Sequence, residues 1–323
     1  MKYKKLFSSM VAMLMTFAVS TSFFSANAAT TDEVETVADV TESTGTFEGQ
    51  AVSSEVGVLN GEGTEEKPYL INDKNDLEVF RNSVNQGETK YNAAGVWVAL
   101  GANINLNGEE WTPIGYMGKT FKGSFDGNGC TVSNLVITKT LTNASENNGI
   151  GLFGRIDSPA VIKNITIENV DITGSLYVGA IVGYGYTGNA VQNCTVQGDI
   201  TIDAWWYAGV IGGNGYVNSI DSCHVIGNDG SYIKGNDGSY IGGIWGFRGE
   251  GNNTITNCTV TNLDIIGVDR VGGISGIAHY GNEVSDVEVK GVTVQATDPD
   301  ATTVGLIVGA TQGTTSQPSI IGE

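Results

Sequence analysis

A nine-residue, glycine-punctuated apolar phrase is written five times in the C-terminal half of this chain. It reads "VGAIVGYGY" at 178–186, "AGVIGGNGY" at 208–216, "IGGIWGFRG" at 241–249, "VGGISGIAH" at 271–279 and "VGLIVGATQ" at 304–312. A shorter form, "GLFG", stands at 151–154. The last glycine of each copy falls at 154, 183, 213, 246, 276 and 309, a period of 29 to 33 residues. Such a period signals a solenoid, in which each short unit buries its apolar face only against copies of itself.

A second phrase identifies the unit. "TVSNLVI" at 131, "VIKNITI" at 161, "AVQNCTV" at 190, "SIDSCHV" at 219, "TITNCTV" at 254 and "EVSDVEV" at 283 share one pattern. Apolar and polar residues alternate, as around Ile162, Ile165 and Ile167, with one break at a polar corner. Alternation with abundant Val, Ile and Thr specifies strand, not helix. The chain shows neither a 3.6-residue period nor the Leu/Asn frame of a leucine-rich repeat. The expected fold is all-β: a single-stranded parallel β-helix of about six coils over residues 131–323. It should be right-handed, by the usual chirality of parallel connections, and on the order of 30 Å tall.

In the glycine phrase, Val178 and Ile181 both read as inward although they are three apart, which a straight strand forbids. The chain is expected to bend between them at Gly179, and likewise at Gly209, Gly242, Gly272 and Gly305. Glycine there accepts unusual torsions and close contact between coils.

Residues 59–130 do not repeat and read as a small α/β N-terminal cap. Leu77, Phe80 and Val84 lie at helical spacing, with Asn72 as N-cap and Gly87 closing the segment. "GVWVALGANINL" at 95–106 reads as a strand with apolar alternation, ending in a Gly/Asn-rich turn. Residues 29–58 carry seven acidic residues, no basic one and one aromatic, the composition of a flexible linker. Residues 1–28 join a basic start, an apolar run from Leu6 to Val19 and Ala26-Asn27-Ala28, the pattern of a cleaved secretory signal peptide.

Without the three lysines of that segment, 13 basic residues face 35 acidic ones, a balance that repels nucleic acid and anionic lipid. Gly is abundant at 46 and Pro scarce at 5, as expected of many turns inside an ordered repeat. The expected protein is secreted or associated with the cell surface, with no membrane insertion after signal cleavage. Neither an L-P-x-T-G sorting signal nor a C-terminal hydrophobic span is seen. The end, "SQPSIIGE", lacks an obvious cap, so the solenoid's C-terminal end is read as frayed or docked on a partner or a second copy.

The repeated phrases resemble the GLUG motif family, named for a Gly-Leu-apolar-Gly signature. "GLFG" at 151–154 is nearest, and "GAIVG", "GVIGG", "GGIWG", "GGISG" and "GLIVG" are looser versions. The lead-in, with "GTEEKPYLI" at 63, "WTPIG" at 111 and "FKGSFDGNGCTVSNLVI" at 121, also resembles what precedes such repeats. The resemblance covers roughly residues 59–310. It implies a secreted or surface-exposed bacterial β-helix, of a kind found in adhesin-like proteins and beside the catalytic domain of some IgA-cleaving metallopeptidases. It implies no catalytic residue.

Four columns of the repeat bear on function. Tyr177, Tyr207, Tyr240 and Arg270 should point outward, with Trp205 and Trp206 beside them and Tyr186 and Tyr216 past the next corner. Such a row either stacks on itself or offers a platform for sugar rings or a protein partner. Tyr177, Trp205, Tyr207, Tyr240 and Arg270 are the candidate ligand-binding residues. Cys194, Cys223 and Cys258 share a column with Leu135, Ile165 and Val287, read as buried thiols, with a disulfide the alternative and zinc disfavoured; Cys130 lies outside it. Asn134, Asn164, Asn193, Ser222, Asn257 and Asp286 form a corner ladder. His224 joins an outward row with Thr166, Thr195 and Thr259.

The tandem "GNDGSYI" at 227 and 235 lengthens one coil's loop; Asp229 and Asp237 read as turn residues rather than Ca²⁺ ligands. No cofactor or metal is expected. With His224 and His279 the only histidines, H-E-x-x-H is absent, and so is G-x-S-x-G. The leading reading is a non-catalytic interaction or adhesion module for a glycan or an extracellular protein. The alternatives are a carbohydrate-active β-helix enzyme and a purely structural surface protein. A lyase needs basic residues, and only Arg81, Arg155, Arg248 and Arg270 occur. A glycosidase needs paired carboxylates, and Asp157, Asp203, Asp269 and Asp286 pair in no column.

Overall fold

Side chains that alternate inward and outward, and corners that recur every 30 residues or so, wind this chain into a parallel β-solenoid. The computed structural model describes residues 57–139, 149–217, 219–237, 240–249, 253–279, 281–301 and 303–312. The expected signal peptide, nearly all of the expected acidic linker and "SQPSIIGE" lie outside the described residues.

One coil shows the plan. Val161–Lys163 lies in a first sheet, Thr166–Gly174 in a second, Tyr177–Val178 in a third and Val182–Gly185 in a fourth. Each strand pairs in parallel with its counterpart one coil on: Ile162 with Val191, Ile167 with Val196, Val178 with Ala208 and Val182 with Gly212. Inward residues therefore stack in columns. Val132, Ile167, Val196, Val225 and Val260 are in register and fully buried, each worth roughly 1.5–3 kcal/mol of transfer free energy.

The first sheet has eight strands, so the winding makes about eight turns. The repeats from residue 131 onward supply five of them. The other three, Tyr69–Ile71, Trp97–Leu100 and Ser124–Asp126, come from the lead-in, because Ile71, Val98, Leu100 and Phe125 are apolar at the positions that meet the stack. Residues 95–106 are not one strand. Trp97–Leu100 enters the first sheet and Ile104–Asn105 the second, with a corner at 101–103 between them.

Helix α1 (Lys74–Gln86) buries Leu77, Phe80, Ser83 and Val84. Phe80 meets Phe121, Phe125 and Phe153 at ring-centroid distances of 5.6, 5.9 and 6.5 Å. The N-cap is Asp73, not Asn72: the Asp73 carboxylate accepts from the Asp76 N–H, while Asn72 is occupied donating its own N–H to the Asp76 carboxylate. Gly87 closes the helix with φ 82°, as expected.

The register corrects two columns. Thr131 pairs with Thr166, so "TVSNLVI" aligns five residues away from "VIKNITI" as written. Cys130 then occupies the cysteine column and Leu135 leaves it for that of Val170. The backbone confirms this: Thr166, Thr195, His224, Thr259 and Glu288 donate to the carbonyls of Cys130, Ile165, Cys194, Cys223 and Cys258. All four cysteines are free thiols, with Cys194, Cys223 and Cys258 fully buried. Burial and its two thiol neighbours push the Cys223 thiol up, so it stays protonated. Iodoacetamide on the native protein is expected to label Cys130 alone, and all four cysteines after denaturation. Native labelling of Cys223, read by mass spectrometry, would remove the column from the core.

Asn164, Asn193, Ser222, Asn257 and Asp286 all take left-handed φ between 50° and 56° at the corner from first to second sheet. Small side chains that hydrogen-bond locally tolerate that conformation best. Their ladder forms in part: Asn193 donates to Asn164 at 2.8 Å and Asn164 to Asp126 at 2.9 Å. At Ser222 it breaks, and Asn257 reaches Asp221 instead. Donation from Thr256 above all holds the Asp221 carboxyl below its usual range. Asn134 belongs elsewhere. It pairs off with left-handed Asn169, further along the second sheet.

The glycine phrase is the corner between third and fourth sheets. Val178 and Ile181 are both fully buried, as the bend requires. Unusual torsion is not the reason for Gly179, whose φ is outside the left-handed region. The reason is proximity: a Cβ there would lie 2.6 Å from Gly212 Cα. The last glycine is equally close to backbone. A Cβ on Gly213 would lie 2.4 Å from Val178 N, on Gly246 2.7 Å from Ala208 N, and on Gly276 2.6 Å from Ile241 N. Each fourth-sheet strand thus rests on the third-sheet backbone of the preceding coil.

Candidate functional site: an aromatic face

That contact between third and fourth sheets folds the outer surface inward. Outward side chains of the two sheets face each other across the corner. Tyr177, Tyr207 and Tyr240 are in register on the third, and Arg155, Tyr184, Asn214 and Phe247 on the fourth.

The rings interlock. Tyr207 lies 5.5 Å from Tyr177 and 5.1 Å from Tyr240 between centroids, the latter pair tilted by only 22°. Trp206 stacks on Tyr207 at 5.7 Å and 10°. Contacts then cross the corner: Tyr177 to Tyr184 at 5.0 Å, and Phe247 edge-on to Tyr207 and Tyr240 at 5.4 and 5.1 Å. Cations close both ends. The Arg155 guanidinium sits 4.7 Å from the Tyr184 ring centre and Arg270 4.8 Å from that of Tyr240. Arg270 is also paired to Asp269 at 2.8 Å. Burial is the main cause that pushes the Tyr184 and Tyr207 phenols up to about 12, so both remain neutral donors across the physiological range.

Of the five residues expected from sequence, Tyr177, Tyr207, Tyr240 and Arg270 form one stack. Their rings pack on one another while remaining half-buried, so the row stacks on itself at the surface. Trp205 is different: it is 37% exposed beside the stack, and Tyr216 is 39% exposed. The Trp206 indole N–H is buried without a hydrogen-bond partner. Sequence reading missed Arg155, Tyr184 and Phe247. Their signal was available, because each directly follows the last glycine of its phrase, an outward position.

The other candidates resolve simply. His224 Nδ1 lies 2.9 Å from Thr259 Oγ1 within its outward row. The first "GNDGSYI" copy makes a turn within the second sheet, between His224–Gly227 and Tyr232–Gly235, which both pair with Thr195–Ala204. Among the described residues no group of three His, Cys, Asp or Glu side chains could hold a metal ion. Asp157 faces Lys122, Asp203 accepts from Tyr232, and Asp269 pairs with Arg270. No helix of the described residues is long and apolar enough to cross a membrane.

The fold and this face define a repeat-built parallel β-solenoid. No family model matches the chain. It is 32% identical over 161 residues to halomucin of Haloquadratum walsbyi, covering 46% of this chain and 2% of that protein. It is 33% identical over 153 residues to a candidate Gly-rich membrane protein of Evansella cellulosilytica, covering 46% of this chain and 16% of the other. The chain thus spans less than a fifth of the length of either relative. Among solved structures, a candidate immunoglobulin A1 protease from Bacteroides ovatus aligns with 79% of this chain and 87% of its own, at 18% identity and a TM-score of 0.46.

Proposed function

We propose that this protein is an exported, surface-exposed binding module of the GLUG-repeat type, without catalytic activity of its own, whose aromatic face engages an extracellular protein. The observation that carries the reading is Trp205, an exposed indole next in sequence to Trp206, which stacks on Tyr207 in the aromatic and arginine row. Tryptophan, tyrosine and arginine on a preorganised surface are the side chains that dominate protein interfaces. Stacked ring faces favour a protein partner over a glycan, whose sugars need an open ring face. The names of the two relatives, halomucin and a Gly-rich membrane protein, support a place outside the cytoplasm, as does the signal-like segment at residues 1–28.

Purified residues 29–323, applied to an array of extracellular proteins and glycans, are expected to bind a protein. Trp205→Ala should weaken that binding at least about tenfold with the fold intact. Equal binding by wild type and Trp205→Ala would sink the assignment of this face. Capture of glycans alone through Trp205 would keep the face and change its ligand.

A further inference from the structure

A different part of the molecule has the shape and chemistry of a small-ligand site. Leu70, Ala99, Asp126 and Lys163 form one outward row across four neighbouring strands of the first sheet. Trp97 stands one outward position before Ala99. The segment 61–68 folds over this row. It is pinned rather than loose: Glu62 and Gly63 donate to the Lys67 carbonyl at 2.9 and 3.0 Å, and Trp97 N–H donates to Gly63 at 2.9 Å. Between segment and sheet lies a cleft of about 700 Å³, bordered by Glu62, Glu65, Glu66, Trp97, Asp126 and Asn128 among others. That volume is in the range of small-molecule sites.

We propose that this cleft binds uncharged or amino-substituted oligosaccharides, independently of the aromatic face. Three features point there. The first is the half-buried Trp97 indole, which carries Lys163 over its ring and borders the cleft with the ring surface left for the C–H face of a sugar. The second is the set of carboxylates, acceptors for ring hydroxyls. Asp126 is already oriented, accepting from Asn164 at 2.9 Å and from the Asn128 N–H at 2.8 Å, so little side-chain freedom is lost on binding.

The third is charge. Lys163 lies 4.3 Å from the Trp97 ring centre and is already engaged by Glu65 at 3.3 Å and Asp126 at 3.4 Å. Lys67 pairs with Glu62 at 2.8 Å. Glu66 and one further carboxylate then leave the cleft negative, which repels uronates, sulfates and phosphates and admits neutral or amino sugars.

The test is isothermal calorimetry on residues 29–323 with three probe sets: neutral oligosaccharides (cello-, xylo- and chito-oligomers), glucosamine oligomers, and acidic ones (oligogalacturonate, chondroitin sulfate). Binding is expected for a neutral or amino probe only. Trp97→Ala should weaken it at least about tenfold, and Trp205→Ala should leave it unchanged. Glu66→Gln, at an exposed position on the cleft border, serves where Trp97→Ala fails to fold, and should weaken amino sugars most. No binding to any neutral or amino probe overturns the proposal, as does a preference for acidic probes. Binding lost in Trp205→Ala but kept in Trp97→Ala also overturns it, while leaving the aromatic-face reading standing.

Discussion

Gly213→Ala is expected to unfold this solenoid or cost it at least about 3 kcal/mol, from one added methyl group. The methyl carbon would stand 2.4 Å from Val178 N, 2.7 Å from Tyr177 C and 2.8 Å from Gly183 O. All three are backbone atoms inside ladders, so no side-chain rotation relieves the clash. To make room, the fourth sheet must lift off the third, and the same separation propagates to the neighbouring coils that copy it. Gly230→Ala is the matched control. Its Cβ would meet nothing within 4 Å, and the residue has φ +83°, so only the left-handed penalty of roughly 1–2 kcal/mol applies. Urea denaturation followed by circular dichroism separates the two. Equal midpoints for both variants would mean that the phrase's last glycine is not a contact residue.

Tyr207→Ala is expected to cost about 2–4 kcal/mol, somewhat below the loss of a fully buried aromatic. The ring touches Tyr177, Trp206, Tyr240 and Phe247, and its removal leaves a gap in the middle of the external stack. Trp205→Ala, next to it but exposed, should stay within about 0.5 kcal/mol of wild type. A titration refines this. The phenol ionises near 10 in the unfolded chain and near 12 in the fold, chiefly through burial. A folded pKa raised in this way favours the protonated state, so the stability it contributes is present below pH 10 and falls as pH climbs from 10 towards 12. Tyr207→Phe keeps the ring and should flatten that alkaline decline. A Tyr207→Ala variant as stable as Trp205→Ala would make the stack a surface ornament and return it to the role of an open platform.

Much of the architecture was legible because it rests on local rules applied six times over. Alternation at Ile162, Ile165 and Ile167 and the spacing of the last glycines gave strands, sheets and coils. What it could not give was registration across the irregular first coil. Residues 127–130 hold two more residues than the equivalent corner at Asn164, so "TVSNLVI" looked aligned by its Asn134 when its true partner is Asn169. The same slip expelled Cys130 from a column it belongs to. Nor did the lead-in look like solenoid, since a helix separates its first two strands and it lacks the glycine phrase. They wind anyway, because Ile71, Val98 and Leu100 fit the stack.

The candidate sites divide the same way. Sequence set the outward direction of Tyr177, Tyr207, Tyr240 and Arg270, because side chains alternate along a strand. Whether those rings lie open or closed depends on how far the fourth sheet stands from the third, and that distance is fixed by glycines pressing on backbone one coil away. The cleft at Trp97 depends on still more distant neighbours: a carboxylate at 65, a lysine at 163 and an aspartate at 126 meet only once the coils are stacked. Periodicity and alternation are properties of neighbouring residues, so the sequence determined the kind of fold and its corners. Proximity between residues of different coils is a property of packing, so only the tertiary structure decided which face is filled and where a cleft remains.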